Sequence, residues 1–467
     1  MIPFLPKQIS KKAILLYLVS LAAVTILFFG YAMNITFVIM GIVWVVGSFV
    51  LTSLASYRWQ NISVRRYISL LVMSSLGLRL VWVVFSYYFY SYHTGEPFEF
   101  NAADSIGYWL DGVWLAGEKW PVIIDYLFTS RNSVSDSGYF LYLAALYKYT
   151  FPSILFTRVL KSIYATASVV LLYNLAKRNF GEEVARLAGI MACFNPNLII
   201  YCGLHLKEAE MLFLMVAFLE RADYLLRSKR YTLWTILVPV ALLLSLFTYR
   251  TVLGIAGAFA FITSLVFSTS SVIGRKKRIM LIFWVLVAAG TFTEGTIVNE
   301  TEELWEGRDT NQATKRLSQT MQGNQWAKYA TGTVMAPMMF VMPFPTMVNV
   351  DEQYNQQVLS GGNYVRCFYG GFVLLAIMSS LFVKKNWRDL SFLGAFALAY
   401  LGIISMSGFS NSERFLLPGL PVLLIMAAYG VTLLNARNYR YIKLWYWIVP
   451  LMVVGWAVFK LGSRGIL

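Results

Sequence analysis

Long apolar runs alternate with short polar breaks along the whole chain, and most runs approach the length a bilayer requires. A membrane-crossing helix needs about 20 mostly apolar residues. Runs of this kind fall at roughly 13–31, 34–57, 67–90, 152–176, 184–203, 209–226, 232–248, 251–271, 279–293, 365–383, 390–408, 415–434 and 444–462. The pattern predicts an all-α polytopic membrane protein of about 13 transmembrane helices. Two longer polar intervals, 91–150 and 294–364, are predicted to be outer loops containing short helices. Inside the second lies Val334–Val350, which carries Pro337, Pro343 and Pro345. Three prolines are incompatible with an ordinary spanning helix, so a re-entrant segment with its backbone covered by protein is expected there. The chain then divides into an N-terminal hairpin (1–66), a core with the first outer loop (67–293), the second outer loop (294–364) and C-terminal helices (365–467).

The polar breaks are of two kinds. Lys7-Lys11-Lys12, Arg58-Arg65-Arg66, Lys177-Arg178, Arg227-Lys229-Arg230, Arg275–Arg278, Lys384-Lys385-Arg388 and Arg437-Arg440-Lys443 are basic. Loops rich in Lys and Arg stay on the cytoplasmic side. Placing all seven there puts the N-terminus inside and the C-terminus outside, provided Val334–Val350 does not cross. All but five of the 23 acids (the five being Glu182, Glu183, Glu220, Asp223 and Asp389) then lie outside. Hydrophobic residues make up 58% of the chain and charged residues 13%, against roughly 25% charged in soluble domains. The net charge of +16 therefore reflects topology and contact with anionic membrane lipids, and no nucleic-acid partner is expected. Cys193, Cys202 and Cys367 sit in or near apolar segments, which gives no disulfide framework. The first apolar run lacks a convincing small-residue cleavage site and is expected to be a retained helix rather than a signal peptide.

The candidate chemistry gathers in the outer breaks. Asp104 and Tyr108, at i and i+4, share one face of a short helix in the first loop, and Ser135-Asp136 follows further along it. An acid at the membrane edge suits deprotonation of a hydroxyl; capping a helix is the plainer role. Arg158 and Lys161 lie in the first turns of the fourth run. They fit either snorkelling to headgroups or a shared phosphate site. Next, His205, Lys207, Glu208 and Glu210 cluster where the fifth and sixth runs meet, after a kink at Asn195-Pro196. There Glu208 either caps the next helix or serves a site, since a helix N-terminus favours an anion. Arg250, between two runs, and Glu413-Arg414, before another, put further charge at the same level. His93 and His205 have no ligand spacing, and P-loop, dinucleotide and nucleophile-elbow patterns are absent. An ATP-driven pump is disfavoured.

Several stretches carry a resemblance: Ala103-Asp104-Ser-Ile-Gly-Tyr108, Gly138-Tyr139-Phe-Leu-Tyr142, Thr157-Arg158-Val-Leu-Lys161-Ser, Leu172–Gly181, Asn195-Pro196 and Leu206-Lys207-Glu208. In order and spacing they resemble the GT-C glycosyltransferases, and within them the bacterial dolichyl-phosphate-mannose-protein mannosyltransferase-like group. Glu413-Arg414-Phe-Leu-Leu-Pro418-Gly-Leu-Pro421 resembles that group's C-terminal Arg-aromatic-Leu-Pro signature. The resemblance covers about 100–225 and 410–432. It implies a GT-C-like fold, with Asp104 as base or acceptor positioner and Glu208 as a second acid shaping the site. It also implies that Arg158, Lys161, Arg250 and Arg414 meet the phosphate of a polyprenyl-linked sugar, with Lys207 preceding the second acid; Tyr108, Asp136, His205 and Glu413, in the same outer breaks, are further candidates for the substrate site. Ser105 stands where the family places a second acid beside the first, so a two-carboxylate metal site is not formed in the usual way; a divalent metal stays possible, with no metal ligand assigned. Acceptor recognition is expected from the bundle and its loops.

The expected function is transfer of a sugar from a polyprenyl phosphate to a glycan, lipid or protein acceptor. The site would lie on the periplasmic face of a bacterial inner membrane, in cell-envelope or polysaccharide biosynthesis. One alternative is an O-antigen or capsule polymerase acting on a diphosphate-linked glycan, with Arg308, Lys315, Arg316 and Lys328 in its second loop. The other is a non-enzymatic transporter of lipid-linked sugars.

Overall fold

The computed structural model describes residues 4–127, 134–228, 232–267, 344–349, 353–383, 390–406, 413–436 and 438–462. Its described residues form helices and no strands, apart from one antiparallel bridge between Ala32 and Val348. In chain order the helices are α1 (Lys7–Leu27), α2 (Ile35–Arg58), α3 (Val64–Thr94), α4 (Ala103–Gly117), α5 (Trp120–Asp125), α6 (Ser137–Tyr149), α7 (Ile154–Phe180), α8 (Glu182–Cys193), α9 (Pro196–Ile200), α10 (Glu208–Arg227), α11 (Leu233–Tyr249), α12 (Thr251–Phe267), α13 (Tyr354–Met378), α14 (Ser391–Met406), α15 (Glu413–Leu416), α16 (Leu420–Thr432) and α17 (Tyr439–Gly462).

Local sequence sets the ends of these helices. Asn34, Ser63 and Ser153 cap α2, α3 and α7 by accepting from the backbone N–H of Thr36, Arg66 and Phe156, which satisfies donors the first turn leaves open. Gly95, at φ +83°, ends α3 in a left-handed conformation. At the other end of the bundle the Arg186 guanidinium donates to the carbonyls of Trp59, Gln60 and Ile62 at 2.9–3.2 Å, closing the end of α2.

Among the described residues, seven helices are long and apolar enough to cross a membrane, or eight if the bent pair α8–α9 is counted as one span. Thirteen spans were expected over the whole chain, and the described helices outside the seven or eight are local cases. The α11 helix has 17 residues between its caps Thr232 and Arg250, which at ~1.5 Å per residue gives about 25 Å, short of a ~30 Å hydrocarbon core, while α12 is described only as far as Phe267 and α14 only as far as Met406. The 20-residue α10 carries Glu208, Glu210, Glu220, Arg221, Asp223 and Arg227. The helix expected from 365 begins at Tyr354, so the second loop ends earlier than expected. The first loop holds three short helices, α4, α5 and α6, as expected. The run at 279–293 and most of Val334–Val350 lie outside the described residues.

The α13 and α15–α16 segments form the centre. Inside the protein, 67% and 83% of their apolar windows are buried, against 28–39% for α1, α2, α3 and α17, whose remaining faces suit lipid. Close backbone contact makes this possible. A methyl group on Gly430 of α16 would overlap the Phe372 carbonyl of α13, and one on Gly361 would approach the Gly41 carbonyl of α2 to 2.8 Å. Small residues at such crossings let membrane helices approach closely.

The break between α8 and α9 places the polar end of α10. Pro196 has no N–H and cannot continue α8, so the axis turns by 54°, and Asn195 caps α9 by accepting from Leu198 N–H at 3.3 Å. Carbonyls freed by the break meet buried donors from α3. Arg79 reaches Cys193 and Ala192 at 3.4–3.5 Å, Trp82 reaches Ile200 at 3.0 Å, and Ser86 reaches Gly203 at 3.4 Å. Irregular backbone at membrane depth persists only under such protection.

Candidate functional site

Four separate segments bring their polar ends together beyond this break. The first turn of α4 supplies Asp104, the start of α10 supplies Glu208, the end of α11 supplies Arg250 and α15 supplies Arg414. Arg414 is the hub. Its Nη1 pairs with Asp104 Oδ2 and its Nε with Glu208 Oε1, while Nη2 reaches the Tyr108 hydroxyl at 3.5 Å. Arg250 Nη2 lies 3.4 Å from the same Glu208 oxygen, and its guanidinium stacks on the Phe415 ring with its centre 4.2 Å from the centroid. Tyr108 donates to Asp136 Oδ2 at 3.2 Å. Asp136, held at φ +71°, pairs through Oδ1 with Lys207, whose ammonium also donates to the Tyr249 carbonyl at 2.7 Å. Asp104, Tyr108, Asp136, Lys207, Glu208, Arg250 and Arg414 thus form one connected network.

The network is asymmetric in exposure. The Asp104 side chain is 62% exposed, Arg414 19% and Glu208 0%. A buried anion, Glu208, fixes two guanidiniums, and a solvent-facing carboxylate, Asp104, sits at the edge of one of them, Arg414. Burial pushes the Tyr108 phenol up to about 12, with Arg414 opposing the rise and Glu208 and Asp104 adding to it, so it remains a neutral donor. Burial presses the Lys207 ammonium well below its usual value, Arg250 adds to this and Glu208 opposes it.

Other expected site residues lie elsewhere. Arg158 and Lys161 are fully buried in α7. Arg158 donates to the Pro97 carbonyl, and Lys161 to the carbonyls of Leu204 and Leu206. His205 lies 3.4 Å from the Tyr147 hydroxyl, with Phe98 and Trp109 beside it. Its pKa is driven well below 6.5 by burial and by the nearby Lys161 and Arg158, so at neutral pH it is an uncharged imidazole rather than a phosphate-binding cation. Glu413 is adjacent to Arg414 in sequence, but its electrostatic partners are Arg366 and Lys460.

Each of these cations has an acidic neighbour. Arg414, Arg250 and Lys207 are matched by Asp104, Glu208 and Asp136, and Lys161 by Glu210 at 3.7 Å. Glu99 lies beside Arg158. Mutual repulsion therefore does not require a bound anion. An arriving phosphate would instead have to compete with a carboxylate for a guanidinium edge.

Sequence reasoning passed over Glu99, which accepts from Ser105, and Arg79. An arginine in the middle of an apolar run is itself a signal; Glu99 carries none. Among the described residues, no group of three or more His, Cys, Asp or Glu side chains could hold a metal ion. In comparison with known proteins, the chain matches no family model, no curated protein and no solved structure.

Proposed function

We propose that the protein is a GT-C-type membrane glycosyltransferase of about 13 spans, moving a sugar from a polyprenyl phosphate to a glycan, lipid or protein acceptor at the periplasmic face of a bacterial inner membrane. The observation that carries this reading is the Asp104–Arg414–Glu208 bridge, with Arg250 on the same glutamate. An exposed carboxylate next to two convergent guanidiniums is the equipment that displacement from a sugar phosphate requires.

In the proposed step the donor phosphate takes the Arg414 edge that Asp104 occupies, with Arg250 beside it. Guanidinium binds phosphate through two parallel N–H bonds. An acceptor hydroxyl attacks the anomeric carbon, the carbon–oxygen bond to phosphate breaks, and its electron pair leaves on the polyprenyl phosphate. Asp104, released from Arg414, takes the hydroxyl proton. The single displacement inverts the anomeric centre. A positioned base contributes about 10²–10⁴ in rate, and charge stabilisation at the leaving phosphate adds to it. Glu208, fully buried, orients the two arginines.

The test is lipid mass spectrometry on membranes with and without the protein, paired with Asp104→Asn in purified form. A sugar-linked polyprenyl phosphate should accumulate without the protein. Asp104→Asn should bind donor while transfer falls by at least 10²-fold. Near-wild-type turnover in the variant would end the base assignment, and transbilayer movement of the lipid without transfer would favour a transporter.

A further inference from the structure

Arg158 and Lys161 stand one helical turn apart on the same side of α7, and both are closed off from solvent, at 0% exposure. Each grips an irregular segment that leads directly into one of the two carboxylates held by Arg414. Arg158 donates from Nη2 to the Pro97 carbonyl in the bend that follows α3. Two residues on, Glu99 lies within electrostatic reach of Arg158 and accepts from the Ser105 hydroxyl. Ser105 is the neighbour of Asp104, so this chain of contacts fixes the start of α4.

Lys161 performs the parallel task on the other side. Its ammonium donates to the Leu204 carbonyl at 3.1 Å and to the Leu206 carbonyl, and lies 3.7 Å from Glu210 Oε2. Two of the ammonium's three protons go to these carbonyls, and Glu210 pairs with it as an ion. The 204–206 turn curls around it, with His205 directed at Tyr147, which in turn meets Thr157 of α7 at 3.1 Å. Glu208 starts α10 two residues later. Because Glu210 is also on α10, Lys161 grips that helix from both its approach and its first turn.

We infer that Arg158 and Lys161 are positioning residues that together set the separation of Asp104 and Glu208, and do not contact the donor phosphate. One rigid helix carries both anchors, three residues apart, so the two acids are referenced to a single ruler. The inference rests on the proposed function for its kinetic consequence, and on geometry alone for its structural one.

The experiment uses full-length purified protein with Arg158→Lys and Lys161→Arg, which keep the charge but change reach and shape. Hydrogen exchange should rise in 95–110 for Arg158→Lys and in 201–212 for Lys161→Arg, with the other segment unchanged in each case. In the transfer assay Arg158→Lys should lower kcat by up to about 10²-fold, the scale of a 1 Å misplacement, with donor KM unchanged. Glu99→Gln should follow the Arg158→Lys pattern and covers the case in which that variant does not fold. A raised donor KM with kcat intact would mean that Arg158 meets the phosphate, and would overturn the inference. So would unchanged exchange in both segments. If the wild type transfers no sugar, the proposed function fails, and the exchange arm still decides whether α7 anchors the two acids.

Discussion

At the scale of single residues, the geometry of Arg250 sets a strict requirement. Its guanidinium sits over the Phe415 ring while one nitrogen reaches Glu208. Lysine can supply the charge but not a plane that stacks and a fork that pairs. Arg250→Lys is expected to weaken binding of a polyprenyl-phosphate sugar by about tenfold, ~1.4 kcal/mol, in a direct binding assay; unchanged affinity would remove Arg250 from the donor site. His205 leads to a pH experiment. Its folded-state pKa lies well below 6.5, so below that value the unfolded chain binds the extra proton and stability falls as pH drops. Above pH 6.5 the group contributes no pH dependence. Between pH 7 and 5 the wild-type melting temperature should therefore fall further than that of His205→Gln, and parallel curves would show that the imidazole is not held neutral. Lys207, Glu208, Arg250 and Arg414 were legible because each sits where an apolar run begins or ends, and Asp104, Tyr108 and Asp136 because they lie in the first outer loop. The roles of Arg158 and Lys161 were not, because their partners are backbone carbonyls, and a carbonyl acceptor leaves no mark on a sequence.

At the scale of elements, close backbone approach sorts the glycines. Gly430 abuts the Phe372 carbonyl, whereas a methyl group on Gly455 of α17 would meet nothing within 4 Å. Gly430→Ala should cost about 1–3 kcal/mol through overpacking, seen as a lowered melting temperature in detergent. Gly455→Ala should be neutral or stabilising by about 0.5–1 kcal/mol. Equal effects would show that α13 and α16 are not in contact at this crossing. Apolar run length and basic flanks located the long helices well, and the Asn195-Pro196 kink as well. The α11 helix, Leu233–Tyr249, falls where the apolar run at 232–248 put it, although composition reports how apolar a segment is and not whether its helix crosses. The spacing of Asp104 and Tyr108 foresaw the first of the loop's short helices, α4. The early start of α13 was hidden by Gln356, Gln357 and Asn363, which look like loop residues and are instead helical, with Gln357 and Asn363 fully buried.

At the scale of the whole molecule, charge separates the two ends of the bundle. The Arg414 network lies at one end. At the other, Arg178 pairs with Glu220 and with Asp223 at 2.9 Å, and Arg186 with Glu182 at 2.8 Å. Single cysteines at Arg66 and Lys119 should report this in intact cells, with an impermeant thiol reagent labelling position 119 and not 66. The reverse pattern would invert the orientation proposed from the basic breaks.

The contact between Ala32 and Val348, backed by Asn349 N–H donating to the Tyr31 carbonyl at 2.7 Å and the Tyr364 hydroxyl to the Ala13 carbonyl at 2.7 Å, also bears on how the chain is made. The ribosome releases the α1–α2 hairpin first, yet the partners that clasp it emerge more than 300 residues later. At roughly 5–20 residues per second the hairpin waits tens of seconds among lipids before α13 arrives. During that interval Gly41 has Tyr17 of α1 against it but lacks Gly361 of α13, which later packs on its carbonyl. A nascent chain stopped after α12 would therefore present its first two helices to the cell's membrane quality control as an orphan pair, and should be degraded faster than a chain released after α17.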